Sequence, residues 1–460
     1  MSDISKFKVT LPQKPHYQKI SQDIDFLKLF KIVEQKFENC FLIESLGVES
    51  SERYSVLGFD PEKIYSGGDE GLTITPKKGQ IDFIDDKNAY NLLSQIVPQN
   101  IISRNYSGGL FGFLSYEAYK YFEPKVKLET HPDFELFKFG LFTDGVVYDK
   151  TTGEVFYFYY ENDRSQLVKE LIQQIQTNNE QTSLKVKFLG NTINPQRHSQ
   201  IVAETIEQIK SGNSFQVEVG MKSKYEVEGD TTLIYEELRK INPSPFMFYC
   251  KFGQQKIIGA SPELLFRLEN GEMQTSPLAG TIKRGKNDEE DIVLARTLLN
   301  DPKEIAEHNM LVDMHRNDIG RVARPGTVKV RRLMEIKRFS HVQHISSDVT
   351  GVIDKKFTMF DGIANILPGG VVSGAPKVET VKIIAGNEQA PRGPYGGALG
   401  YFGLNGNCTF AIPIRSLFIS GNQAFAQTSS GIVYDSVAGN EYQELINKLQ
   451  AMSNVLSKFS

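Results

Sequence analysis

The sequence predicts a mixed α/β fold of the α+β type, because helical and strand signals alternate along the chain without tandem repeats or low-complexity segments. Three observations carry this expectation. Phe26, Leu27, Phe30 and Val33 recur at helical spacing and predict an amphipathic helix. The aromatic-rich run from Lys138 to Tyr160 is broken at Thr151–Gly153, as in a β-hairpin. Within Pro195–Lys210, Ile201, Ile206 and Ile209 share one helical face, and Ser211 and Gly212 stop it.

The remaining elements follow in order. FLIES at 41–45 reads as a strand, and Arg53–Pro61 ends in a Gly-x-x-Pro turn. A glycine-punctuated segment runs from Gly108 to Glu123. The polar, weakly patterned stretch Thr177–Lys185 is the best linker, placing a seam near 180–192 and dividing the chain into regions 1–190 and 191–460. At 460 residues, one large domain and two closely packed subdomains are both open. Asn440–Ser457 predicts a final helix with Leu445, Leu449, Met452 and Leu456 as its apolar stripe.

Charge excludes several function classes. With 52 basic and 56 acidic residues well mixed and a net charge of −4, the chain has no long-range field to hold nucleic acid or an anionic membrane. Cys40, Cys250 and Cys408 are far apart and lack C-x-x-C spacing, which argues against a disulfide framework or a zinc site and suits a reducing cytoplasm. The opening MSDISKFKVT lacks a basic patch followed by an apolar stretch, and no apolar run reaches membrane-span length. The expectation is a cytoplasmic protein, neither exported nor membrane-bound.

Several constellations suit chemistry. Glu304 and Glu307 are three apart on a predicted helix and share a face, which suits a hard cation, although on spacing alone a solvated surface is the commoner reading. Glu441, Glu444 and Lys448 lie beside the C-terminal stripe, where an ordinary Glu-to-Lys pair is the alternative. Pro277–Gly285 and Pro368–Lys377 are glycine-rich and each holds a basic residue, yet neither fits a nucleotide-binding pattern. His344 alternates with Gln343 and Ile345 in a strand-like run, as a general base or a structural histidine. No nucleophile elbow is present.

Taken together and in order, SFQVEVG (214–220), NPSPFMFY (242–249), ASPELLFR (260–267), PLAGTIKRG (277–285), the segment 301–322, SHVQHIS (340–346), SGAPK (373–377), RGPYGGALGYF (392–402), AIPIR (411–415), SGIVYDS (430–436) and EYQELINK (441–448) resemble the chorismate-utilising enzymes over nearly the whole chain. The resemblance implies two large antiparallel β-sheets packed face to face with helices outside, both halves of the chain contributing strands. Region 191–460 would hold chorismate and region 1–190 would pack against it with the inhibitor segments.

The resemblance also assigns roles. Mg2+ would bridge a substrate carboxylate to Glu307 and Glu444, with Glu304 and Glu441 close by; hard carboxylate oxygens suit that ion. Arg415 and Lys448 would grip the second carboxylate, with Gly280, Thr281, Tyr395 and the Gly431 amide completing the pocket. Glu263 matches the general acid and must stay protonated while the metal glutamates are ionised, which requires an apolar site. His344 would assist pyruvate loss. Gln216 stands where the water-adding branch carries a lysine base, and Ala279 where aminodeoxychorismate synthases commonly carry lysine. Both point to ammonia addition giving anthranilate and pyruvate, with ammonia supplied from glutamine by a separate amidotransferase subunit. Glu44 and Ser45, with Pro245, Phe246 and Met247, resemble segments that bind tryptophan as a feedback inhibitor.

Three departures lie near the substrate: Val371 replaces a threonine, and Ser429 and Ser430 stand where Gly-Ala is usual. Depriving a buried polar group of its partner costs about 1–3 kcal/mol, enough to weaken binding or mark another product. A synthase that stops at the aminated intermediate aminodeoxyisochorismate or makes 4-amino-4-deoxychorismate, an isochorismate synthase, and a catalytically silent paralogue are the alternatives.

Overall fold

The computed structural model describes residues 4–20, 24–47, 52–103, 105–176, 182–339 and 342–460. Its strands form two 12-stranded sheets among the described residues, and the pairings within them are antiparallel. The first sheet runs from His16–Ile20 at one edge, through Asn39–Glu44 and Phe246–Phe252, to Gln216–Gly229 and Leu184–Asn191 at the other. The second runs from Leu278–Lys283 and Val342–Val352, through Leu264–Glu269 and Gly109–Leu114, to Asp82–Asp85. Each therefore draws strands from both ends of the chain.

Strand periodicity explains the layering. Along Phe246–Phe252, Phe248, Cys250 and Phe252 join the core between the sheets, while Met247 and Tyr249 face the helices outside the first sheet. A strand buried on both faces must be apolar at successive positions, as this one is. Across the inter-sheet core, Phe41 stacks on Phe111 with ring centroids 3.7 Å apart. The helices Phe26–Lys36, Pro195–Lys210 and Ala438–Leu456 cover the opposite face, presenting Phe30, Ile201 and Leu445 to it.

Most of the expected elements form, including the helix Pro195–Lys210, capped by Asn194 with Pro195 opening it. The hairpin is shorter than expected. Phe137–Phe142 belongs to the second sheet, and only Asp144–Asp149 and Glu154–Tyr159 pair across the turn in the first. Phe137–Phe142 and Asp144–Asp149 are both almost wholly buried, so their pattern gives no sign of where the chain crosses between the sheets. Of the linker Thr177–Lys185, residues 177–181 lie outside the described residues, and strand structure begins at Leu184. Among the described residues no helix is long and apolar enough to cross a membrane. Cys40, Cys250 and Cys408 are buried and free.

Candidate active site

The site lies where the Gln216 end of the first sheet meets the Leu278–Lys283 edge of the second. Gln216–Gly229 pairs with Gln423–Ile432, setting Glu218 opposite Gly431 and Gly220 opposite Ser429. The helix Pro302–Gly320 is capped by Asp301 and opened by Pro302. It is pinned to the second sheet by His308 Nε2 against Ser347 Oγ at 2.6 Å and His315 Nδ1 against Thr275 Oγ1 at 2.7 Å. That docking brings Glu304 and Glu307 inward. From the other side, burial of Leu445, Leu449, Met452 and Leu456 fixes Glu441, Glu444 and Lys448 on Ala438–Leu456.

Gln216 links the two sides. It is 3% exposed, and its Nε2 donates to Glu307 Oε1 at 3.1 Å and Glu218 Oε1 at 3.2 Å. Burial raises the Glu304 carboxyl, and Glu307, Asp301 and Glu444 add like charge. Glu441 is also raised by burial, against the Ser436 hydroxyl that donates to its Oε1 at 2.8 Å. Gly280 has a left-handed φ of +66° at a bulge, and a Cβ there would lie 2.9 Å from Glu304 Oε2. Among the described residues no three His, Cys, Asp or Glu side chains close into a metal cage by themselves. Mg2+ is usually held by one or two carboxylates with other oxygens and waters completing its shell, and Glu307 and Glu444, both near enough to Glu304 to act on it as like charges, have the chemistry to supply them.

The cation assigned to the substrate is already engaged. Lys448 Nζ pairs with Glu444 at 2.7 Å and donates to Ser429 O at 2.9 Å, so the ordinary i,i+4 pair does form. Desolvation opposes its charge, but Glu444 and Glu218 more than offset that and hold the ammonium firmly.

Glu263, His344 and Arg415 form a second cluster. Glu263 is buried, accepts from the Leu278 N–H at 3.3 Å, and is pushed up to about 8 by burial, against the pull of that bond and of Arg415. It can hold a proton at neutral pH. His344 Nδ1 lies 3.0 Å from Gly280 O and 3.1 Å from Thr281 Oγ1; the carbonyl can only accept, which assigns the proton to Nδ1. Nε2 then faces Arg415 Nη2 at 3.4 Å. Burial, with Arg415 beside it, lowers the imidazole to about 3, so it is a neutral group whose Nε2 lone pair accepts from Arg415. Arg415 makes no ion pair among the described residues and has φ +52°, a left-handed conformation that costs about 1–3 kcal/mol for a non-glycine residue and clusters at functional sites.

The serine departures behave differently from each other. Tyr395 Oη donates to Ser429 Oγ at 3.1 Å, and Ser429 Oγ donates to Glu218 Oε2 at 2.7 Å. Strand alternation sends Ser430 to the other face, where its Oγ is buried without a partner, so its side chain does not join the substrate group assigned to it. The missing Cβ of Gly431 leaves room for the ends of two side chains, since a Cβ would lie 2.2 Å from Gln216 Nε2 and 2.7 Å from Glu218 Oε1 and force them to shift. Val371 is half-buried and packs against the inter-sheet core, where a methyl suits its neighbours.

Sequence reasoning missed Glu218. Its carboxyl is pushed up to about 7 by burial; Lys448 and Ser429 pull it down, while Glu307 and Glu444 raise it as like charges. The signal was available: in a strand, Gln216 and Glu218 share a face.

The inhibitor segments also converge. Glu44, Pro245, Phe246 and Met247 line a cavity of about 50 Å³ with Ile43 and Tyr54, while Ser45 is buried outside that lining. Ligand sites are typically roughly 300–1,000 Å³, so an amino acid the size of tryptophan needs these walls to part. Glu44 is fixed by Tyr235 Oη at 2.9 Å and Arg239 Nη2 at 3.1 Å.

The chorismate binding enzyme family matches residues 38–454. The chain belongs to that family. Anthranilate synthase component 1 of Leptospira biflexa is 48% identical over 98% of this chain and 97% of its own. That of Methanothermobacter thermautotrophicus is 40% identical over 97% and 95%. Among solved structures, anthranilate synthase component I from Streptococcus pneumoniae superposes with a TM-score of 0.77 at 32% identity, covering 88% of this chain and 93% of that one. Within this family member, one buried cluster gathers carboxylates around Gln216 and a second joins Glu263, His344 and Arg415.

Proposed function

We propose that this chain is an anthranilate synthase component 1, a lyase that converts chorismate and ammonia to anthranilate and pyruvate. The observation that carries the reading is Gln216, a neutral amide held between Glu307 and Glu218, in the position where water-adding relatives need a basic lysine. Ammonia carries its own lone pair and needs no such base. The 48% identity to a component 1 over nearly all of both chains supports the same branch.

The residues then divide the work. Ammonia adds to the ring as Glu263 gives its proton to the departing hydroxyl, which leaves as water. Once Arg415 turns to the substrate, neutral His344, directed by Gly280 O, removes the ring proton as the C–O bond breaks; enolpyruvate leaves and takes up a proton at its methylene carbon to become pyruvate. Arg415 takes one substrate carboxylate through its planar fork. Glu307 and Glu444, with Glu304 and Glu441 beside them, would hold Mg2+, which when bound neutralises the other substrate carboxylate. Lys448 fixes Glu444 and the Ser429 carbonyl. Tryptophan inhibition through the Glu44–Met247 cavity, a glutamine amidotransferase partner and a cytoplasmic setting complete the proposal.

The experiment is incubation with chorismate, Mg2+ and an ammonium salt, following anthranilate fluorescence and pyruvate. Intact chorismate with neither product refutes the reading. Accumulation of an aminated intermediate would favour the second reading, for which Ser429, the serine that faces the cluster, is the motivating departure.

A further inference from the structure

Glu218 is a buried carboxylate that makes no ion pair among the described residues; its hydrogen-bond partners are the Ser429 hydroxyl and the Gln216 amide. Burying such a group costs several kcal/mol unless something repays it. Its position is also tightly specified. Ser429 holds Oε2 at 2.7 Å, Tyr395 holds Ser429, and the missing side chain of Gly431 leaves the space that Oε1 fills.

The neighbouring amide supplies an independent observation. Gln216 Nε2 faces two carboxylates, which can only accept, so the orientation of the amide is fixed. Its Oε1 is consequently directed away from both and is buried without a partner. Beside it, each Glu218 oxygen has accepted one hydrogen bond and retains further lone-pair capacity. This corner offers acceptors, while Lys448, whose charge acts on Glu218, spends its hydrogen bonds on Glu444 and the Ser429 carbonyl. A ligand that satisfies it must bring donors, and ammonia does so with three N–H groups while its lone pair stays free to attack.

We propose that Gln216 Oε1 and the Glu218 carboxylate form the binding site for the ammonia nucleophile, with Ser429 as the residue that positions Glu218. The proposal deepens the reading of the chain as an amine-adding synthase and rests on it. It also gives Ser429 a purpose: its hydroxyl orients the nucleophile site instead of obstructing the substrate.

The test separates the two Michaelis constants. Wild-type protein, Glu218→Val and Glu218→Gln are assayed with Mg2+ and chorismate at fixed pH, varying ammonium chloride in one series and chorismate in the other. Losing a hydrogen bond to a charged acceptor should raise KM for ammonia about tenfold or more, with KM for chorismate within about twofold of wild type. Glu218→Gln preserves the shape and decides the matter if Glu218→Val does not fold. Ser429→Gly should raise the ammonia constant in the same sense by a smaller factor. The inference is overturned if a folded variant keeps the wild-type ammonia constant, if both constants rise together, or if activity is lost and higher ammonium does not restore it. An inactive wild-type protein sinks the functional reading and this inference together, whereas an active one with an unmoved ammonia constant sinks only this inference.

Discussion

Replacing Glu263 with glutamine should make the protein more stable and far less active. The substitution keeps the acceptor for the Leu278 N–H at 3.3 Å and removes the titration. Burial raises the Glu263 carboxyl from 4.5 to about 8. Between those values the folded protein retains a proton that the unfolded chain releases, so its contribution to stability is fully present below 4.5 and is lost as pH rises through 8. At 1.36 kcal/mol per unit, the interval from 4.5 to pH 7 corresponds to about 3 kcal/mol. Glutamine has no such loss. Glu263→Gln should therefore match wild type near the acid end and exceed it by about 1–3 kcal/mol at pH 7, while kcat falls about 10²- to 10⁴-fold for want of a proton donor. Urea unfolding followed by circular dichroism from about pH 5 to about pH 8, with turnover measured on the same samples, reads both. A stability difference that does not widen with pH, or turnover within tenfold of wild type, refutes the reasoning.

Three further outcomes follow from the geometry. Gly280→Ala places a Cβ 2.9 Å from Glu304 Oε2 on a left-handed backbone, and should raise the Mg2+ concentration needed for half-maximal activity while the circular dichroism spectrum stays unchanged. Glu444→Gln weakens the Lys448 ion pair and removes a proposed metal carboxylate; it should abolish Mg2+-dependent turnover in a folded protein, and unchanged activity would remove Glu444 from the site. Phe41→Ala empties the position stacked on Phe111 at 3.7 Å and edge-on to Phe142 at 4.8 Å, and should cost about 3–5 kcal/mol in chemical unfolding.

The site was legible in the sequence where a motif fixed both a residue and its neighbours. Glu263, Thr281, Glu307, His344 and Arg415 come from segments far apart in the chain, and the fold brings Thr281 and Arg415 to the two nitrogens of one imidazole. Less was legible where the outcome depends on the partner strand. Glu218 went unnoticed because its significance comes from pairing with Gln423–Ile432, which sets Ser429 and Gly431 around it. The same alternation separates Ser429 from Ser430, two residues that look alike in sequence and face opposite ways. Lys448 illustrates a third limit: its spacing from Glu444 suits substrate binding and an intrahelical pair equally, and only the folded geometry shows the pair. For the fold, periodicity located strands and helices, but a strand as nearly wholly buried as Phe137–Phe142 conceals which sheet receives it.

The most direct measurement of the central claim is mass spectrometry of the products formed from chorismate and ¹⁵N-ammonium with Mg2+. The account requires anthranilate carrying the label in equal amount to pyruvate, with no isochorismate. Isochorismate, labelled 4-amino-4-deoxychorismate, or unchanged chorismate would contradict it.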